Sequence, residues 1–217
     1  MARYCAHYLG ISAKKRKTLI LLPTYELLLR FMHKWPIYMH YEAIIDFWFK
    51  EIEPKFWWKK NRDFDLLIAD RFLELHKAAA RCELYTWRDL PLGRLAEIIV
   101  LDQFSRNIFR SSPMSFAYDP LALALAQEAI TAKANQTLNP SQKAFLYMPF
   151  MHSESPAIHE AALELFKESG LESNLKFEIQ HKAIIDRFGR FPHRNKVLGR
   201  QSTEEELNFL KDAGSSF

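Results

Sequence analysis

Side chains able to move a proton gather in three places in this chain: His152 with Glu154 in the run PFMHSE, His193 in a basic link, and Asp102 on a helical stretch with Gln103, Arg106 and Arg110. Histidine changes charge near neutral pH and a carboxylate can orient it, so His193, His152 and Asp102 are the candidate catalytic groups. Arg106, Arg110, Arg190 and Arg194 are the candidate ligand-binding residues, with Gln103 as a further polar contact, because a guanidinium fork matches carboxylates and phosphates. The densest basic and aromatic stretch, DRFGRFPHRNKVLGR from Asp186 to Arg200, brings Arg190, His193 and Arg194 together between two helical patterns. Other chemistries find no support. His152, Glu154, His181, His193 and Asp102 are metal-ligand types without a His-x-x-x-His or Cys-x-x-Cys spacing, so no metal and no cofactor is expected. There is no Gly-x-Ser-x-Gly elbow and no glycine loop to cradle a phosphate, which excludes a standard serine hydrolase or nucleotide site.

These residues need helices to position them. Taking Leu92 as the origin of a wheel at about 100° per residue, Leu95, Ala96 and Ile99 share its face while Arg94 and Glu97 oppose it. Beyond Leu101 the faces exchange: Asp102, Gln103, Arg106, Asn107 and Arg110 take the first sector, and Leu101, Phe104 and Ile108 the other. Such a helix threads between neighbours, and its polar sector needs a polar partner or a groove. The link from Gly189 to Asn195 is the expected partner, making one cationic, partly open site, with Gly189 for the turn and Pro192 for an extended course. Asp102 and Arg106 are also an i, i+4 ion pair. His181, aligned with Phe177, Ile184 and Phe188, reads as a core histidine, and the KFWWKK corner at Lys55 to Lys60 reads as a cation–π staple of a helix corner.

The remaining organisation is helical throughout. Phe (17) and Trp (5) are abundant and Gly (6) is scarce among 217 residues, which favours helices over strands. Three helix starts place a capping residue before proline: Asp119-Pro120, Asn139-Pro140 and Ser155-Pro156. Their spacing suggests antiparallel helical hairpins in a tetratricopeptide-like array. Pro149 is expected to kink or end its helix just before Phe150, and the run from Ser202 announces a capping box. Residues 1–38 hold seven basic side chains against one acid, Glu26, whereas the rest holds 23 against 25. We therefore expect a weakly packed basic extension over residues 1–38 and a single all-α domain over 39–217. Nucleic-acid binding through that body is not expected, nor is a membrane span. The two cysteines, Cys5 and Cys82, form neither a disulfide framework nor a metal set, which points to the cytoplasm.

Several longer motifs occur in order: DFWF from Asp46, KFWW from Lys55, LGR from Leu92, LDQF from Leu101, RNIFR from Arg106, PFMHSE from Pro149, FGRFPHRN from Phe188, and the terminal SSF. In them the chain resembles the uncharacterised bacterial family called domain of unknown function 924. Ser105 stands where that family's pattern has proline, which puts the local helix bend in question. The resemblance implies an all-α, tetratricopeptide-like fold and no established activity. Two functions are then expected to compete: a helical protein binding a peptide or small anionic ligand, and an enzyme acting on a phosphorylated or carboxylated small molecule through its His, Arg and Asp groups.

Overall fold

A computed structural model describes residues 40–212 and 214–215, so the expected extension over residues 1–38 lies outside the described residues. Among the described residues there are helices and turns and no strands. α1 (Tyr41–Asp46) continues as a π-helical turn, Phe47–Glu51, and α2 spans Arg62–Ala80. α3 (Pro91–Ile99) runs through a second π-helical turn, Val100–Phe104, into α4 (Ser105–Ile108). α5 (Asp119–Thr131), α6 (Pro140–Met151), α7 (Pro156–Phe166), α8 (Glu172–Phe188) and α9 (Glu204–Phe209) follow.

The helix starting at Pro91 is the axis of the fold. Every residue from Leu95 to Ser105 is buried, because α1, α5 and α6 pack on α3, and α2 packs on the π turn and α4. The π turn is the physical basis of the exchange of faces: one residue more per turn rotates everything after it by about 100° relative to an uninterrupted α-helix. Arg106 is thereby taken off the stripe of Leu95 and Ile99. Ser105 continues the helix, its hydroxyl donating to the Leu101 carbonyl at 2.5 Å and accepting from His76 Nε2 at 2.7 Å.

Aromatic rings fill the space beside this axis. Phe47 lies 4.9 Å from Phe72, Phe72 5.0 Å from Phe104, and Trp48 5.5 Å from Phe145, centroid to centroid. Burying each such side chain stabilises the fold by about 1.5–3 kcal/mol before the entropy of ordering it is counted. At the KFWWKK corner the cation–π contact is Lys55 over the Phe56 ring at 5.3 Å and not over a tryptophan; Trp57 Nε1 donates to the Trp48 carbonyl at 3.0 Å, and Trp58 stacks on Phe145.

Two expectations are corrected. Pro149 does not end its helix just before Phe150; it lies inside α6, which runs to Met151, and His152 N bonds to Met148 O at 3.0 Å beyond it. Phe177 does not join the buried stripe of His181 and Ile184 but stays 56% exposed.

Candidate functional site

His152 caps the C-terminus of α6. Its Nδ1 lies 2.8 Å from Asp102 Oδ1. The other Asp102 oxygen accepts from Gln103 Nε2 at 2.5 Å, and Arg106 Nη1 lies 3.1 Å from Oδ1. Arg106 then reaches across to Asp119, the first residue of α5, with Nη1 at 3.0 Å from Oδ1 and Nη2 at 3.1 Å from Oδ2. From the link, Arg194 Nη1 donates to the same Asp119 Oδ2 at 3.3 Å. The axis and the link therefore meet at one carboxylate.

Glu154 makes the second tie. Its Oε1 accepts the backbone N–H of the fully buried Phe191 at 2.8 Å, and Arg200 grips it with Nη1 at 2.6 Å and Nη2 at 2.9 Å. Three carboxylates, Asp102, Asp119 and Glu154, stand against three guanidiniums, Arg106, Arg194 and Arg200. The site is charge-compensated, not the cationic surface that the link's composition suggested.

Protonation follows from these contacts. Burial alone would raise the Asp102 pKa, but the Arg106 charge and the His152 contact outweigh it and hold the carboxyl well below its usual range. For His152 burial and the Arg106 charge prevail over the pull of Asp102, so its pKa is lowered. The pair is then an ionised Asp102 and a neutral His152. Asp102 can only accept, so Nδ1 carries the proton and Nε2 carries the lone pair. Nε2 makes no hydrogen bond among the described residues and is not enclosed. His193 is pushed down to about 3 by burial and by Arg194, and its ring lies 5.6 Å from that of Phe191.

A buried pair secures the turn that carries His152. His159 Nε2 is 2.9 Å from the Ser153 carbonyl and must donate to it, leaving Nδ1, 2.6 Å from Glu178 Oε1, to share one proton with that carboxyl. Burial raises the Glu178 pKa against the opposing pull of His159.

Two of the candidate arginines lie elsewhere. Arg110 forms a bidentate pair with Asp65 on α2, at 2.5 and 2.6 Å, and Arg190 does so with Glu206 on α9, at 2.6 and 2.8 Å. Asp119, Arg200 and the pair His159–Glu178 carry roles that the sequence did not disclose. Asp119 read as a helix cap, although Tyr118 is the N-cap and the Asp119 carboxylate is spent on the arginines. A surface concavity of about 460 Å³ lies apart from the network, lined by Ile130, Phe150, Leu165 and Glu168 among others. Among the described residues no three His, Cys, Asp or Glu are grouped to hold a metal, and no helix is long and apolar enough to cross a membrane.

Fold and site together define an all-helical domain with a charged, hydrogen-bonded seam against its central helix. The chain belongs to the family described as bacterial proteins of unknown function, DUF924, which it matches over residues 44–214. Among solved structures it is similar to a protein of unknown function, ATU0120 from Agrobacterium tumefaciens, with 40% identity and a TM-score of 0.75 over 79% of this chain and 96% of that one. No curated protein matches it.

Proposed function

We propose that the Asp102–His152 seam is a proton-transfer site acting on a small carboxylated or phosphorylated molecule. The observation that carries this reading is the 2.8 Å contact of His152 Nδ1 with the buried Asp102 carboxylate, while Nε2 has no hydrogen-bond partner among the described residues. A neutral imidazole oriented by a carboxylate is the arrangement a general base needs. Asp102 orients it, Gln103 and Arg106 steady Asp102, and Arg194 supplies the positive charge for the ligand.

The test has two parts. Nitrogen-15 shifts of His152 are expected to show a protonated Nδ1 and a bare Nε2; the opposite tautomer would sink the proposal. A thermal-shift panel of phosphorylated and carboxylated metabolites is expected to yield a ligand that wild type transforms and that His152→Asn binds without transforming. A ligand transformed equally by both proteins would remove His152 from the reaction. The concavity lined by Ile130, Phe150 and Leu165 supports a second, non-catalytic reading, the docking of an apolar peptide segment away from the seam.

A further inference from the structure

The fully buried Phe191 is packed among imidazoles. Its ring centroid lies 6.2 Å from that of His159, 5.7 Å from that of His181 and 5.6 Å from that of His193. The apolar cluster it joins is small: Ile184 and Ile185, with Phe188 and Phe209 beside them, stand apart from the large core that runs from Ile44 to Leu171. Docking of the segment from Gly189 to Phe209 thus draws little on that core, and such units open at lower free energy than the core itself.

The segment is also tied to itself. Arg190 grips Glu206 at 2.6 and 2.8 Å and donates to the Gln201 carbonyl at 2.9 Å, Asn195 Nδ2 donates to Ser202 at 3.0 Å, and Thr203 with Glu206 caps α9. It meets the body at charges: Arg194 on Asp119, Arg200 on Glu154, and the Phe191 N–H on the same Glu154. At its start Gly189 ends α8 in the left-handed region, at a φ of 67°, with no atom within 4 Å of the position a Cβ would take. A link and a helix that hold together, meet the body through ions and rings, and begin at an unobstructed glycine have the parts of a hinged flap.

We propose that residues 189–209 are an acid-released flap, which protonation of His181 and His193 detaches from Glu154, Asp119 and His159 while α1–α8 stay folded. Release takes Arg194 and Arg200 out of the seam, so the flap switches off the proton-transfer site on the acid side. It rests on that reading only for what is switched.

The direction of the pH effect follows from the charges around the two rings. Burial, with the neighbouring His152, His159 and His193, outweighs the Phe177 carbonyl and pushes His181 down to about 3. Burial, then Arg194 and Lys60, outweigh Glu154 and push His193 down to about 3 as well. Opening takes Phe191 off His181 and carries His193 into water, returning both toward about 6.5. The closed form is therefore whole above that value and loses stability as pH falls toward 3. Glu178 is engaged by His159 within the body. Burial would raise the Glu154 pKa, but Arg200 and the Phe191 N–H hold it low, so its ties outlast the histidines as acid is added. From about pH 7.5 to about pH 5 each histidine favours opening about thirtyfold, the two together on the order of a thousandfold.

Hydrogen exchange of the full chain, corrected for the intrinsic effect of pH, reads the opening. The Phe191 N–H, which bonds across to Glu154, reports the flap, and the Val100 N–H, within the central helix, reports the core. Phe191 protection is expected to fall on the order of a thousandfold from about pH 7.5 to about pH 5 and to stay below that of Val100 throughout. Replacing both residues, His181→Gln with His193→Gln, should leave a change of less than about threefold. Protection of Phe191 that does not fall, that equals Val100 at about pH 5 because the whole chain opens, or that falls as far in the double variant overturns the flap. Should the double variant not fold, each single substitution is expected to leave about thirtyfold, and an undiminished fall in both refutes the proposal. If neither single variant folds, the wild-type comparison of Phe191 with Val100 decides alone. Exchange needs no turnover, so failure of the proton-transfer reading leaves this result standing, and a flap that stays shut leaves His152 as it was.

Discussion

Replacing Asp102 by Asn removes one charge from a group that is 1% exposed while keeping its shape. The carboxylate accepts from His152 at 2.8 Å, from Gln103 at 2.5 Å and from Arg106 at 3.1 Å. An asparagine has a single side-chain oxygen, so it can accept from His152 or from Gln103 but not from both, and its amide N–H then faces another donor unless the Gln103 amide turns over. Arg106 is not orphaned, because Asp119 still holds it at 3.0 and 3.1 Å. The loss should therefore stay at or below that of orphaning a buried ion, and we expect Asp102→Asn to destabilise by about 2–4 kcal/mol near neutral pH. The pH dependence fixes the cause. Asp102 is held below its unfolded pKa, so the stability it contributes is complete above about pH 4 and is lost as pH falls through the folded value. The deficit of Asp102→Asn should accordingly be full at about pH 7 and smaller at about pH 3. Asp102 also resists the lowering of His152, so the variant's imidazole should titrate lower still. Urea unfolding at both pH values and a histidine NMR titration measure this. A deficit equal at the two pH values, or a His152 titration that does not change, would refute the reasoning.

Three other outcomes follow from the same geometry. Glu178→Gln can donate an N–H to His159 Nδ1 and so reproduces the neutral form of the pair. Because the Glu178 pKa is raised, its contribution is present below the unfolded value near 4.5 and is lost as pH rises through the folded one. The variant should gain on wild type in urea midpoints as pH rises above about 4.5, and parallel curves would exclude a raised Glu178 pKa. Gly93→Ala should lose on the order of 2 kcal/mol in the same assay: the new Cβ would lie 2.0 Å from the Trp87 carbonyl oxygen, which outweighs a helix-propensity gain of about 1 kcal/mol, so a more stable variant contradicts it. A chain beginning at Met39 is expected to melt cooperatively near the temperature of the full chain, and loss of that transition would make residues 1–38 part of the core.

The helices were legible where the signal is local. Asn139-Pro140 starts α6 with a capping box to Gln142, and Thr203 with Glu206 does the same for α9. Asp119-Pro120 gives the same local signal, yet its carboxylate serves Arg106, 13 residues back, and Arg194, 75 residues on. No pattern within a few residues distinguishes a cap from an ion clamp. Likewise the wheel disclosed that the faces exchange along the central helix, but a single π turn is too short to leave a period of its own, so its position was not readable. Arginine type and helical spacing could not separate Arg106 and Arg194, which share Asp119, from Arg110 and Arg190, which are bound to Asp65 and Glu206.

The seam is also an argument about purpose, because it is a poor way to hold a fold together. Taking Asp102, Arg106 and Arg194 out of water costs several kcal/mol per ion before their attraction offsets it, and apolar side chains of similar volume are often as stabilising or more so. The neighbouring core shows that this chain has such side chains at hand: Leu95, Ile98, Ile99, Leu101 and Phe104 on the same axis are fully buried. Had stability been the only demand, the sector from Asp102 to Arg106 would be expected to continue that composition. The π turn points the same way, since it interrupts the regular ladder to turn Asp102 and Arg106 toward His152 and Asp119, and such turns concentrate at functional sites. Local structure, packing and electrostatics each give up something at the same few residues. That coincidence favours a site over a set of clamps, and the Arg194 Nε, buried without a hydrogen-bond partner among the described residues, is where the clamp reading has least to offer.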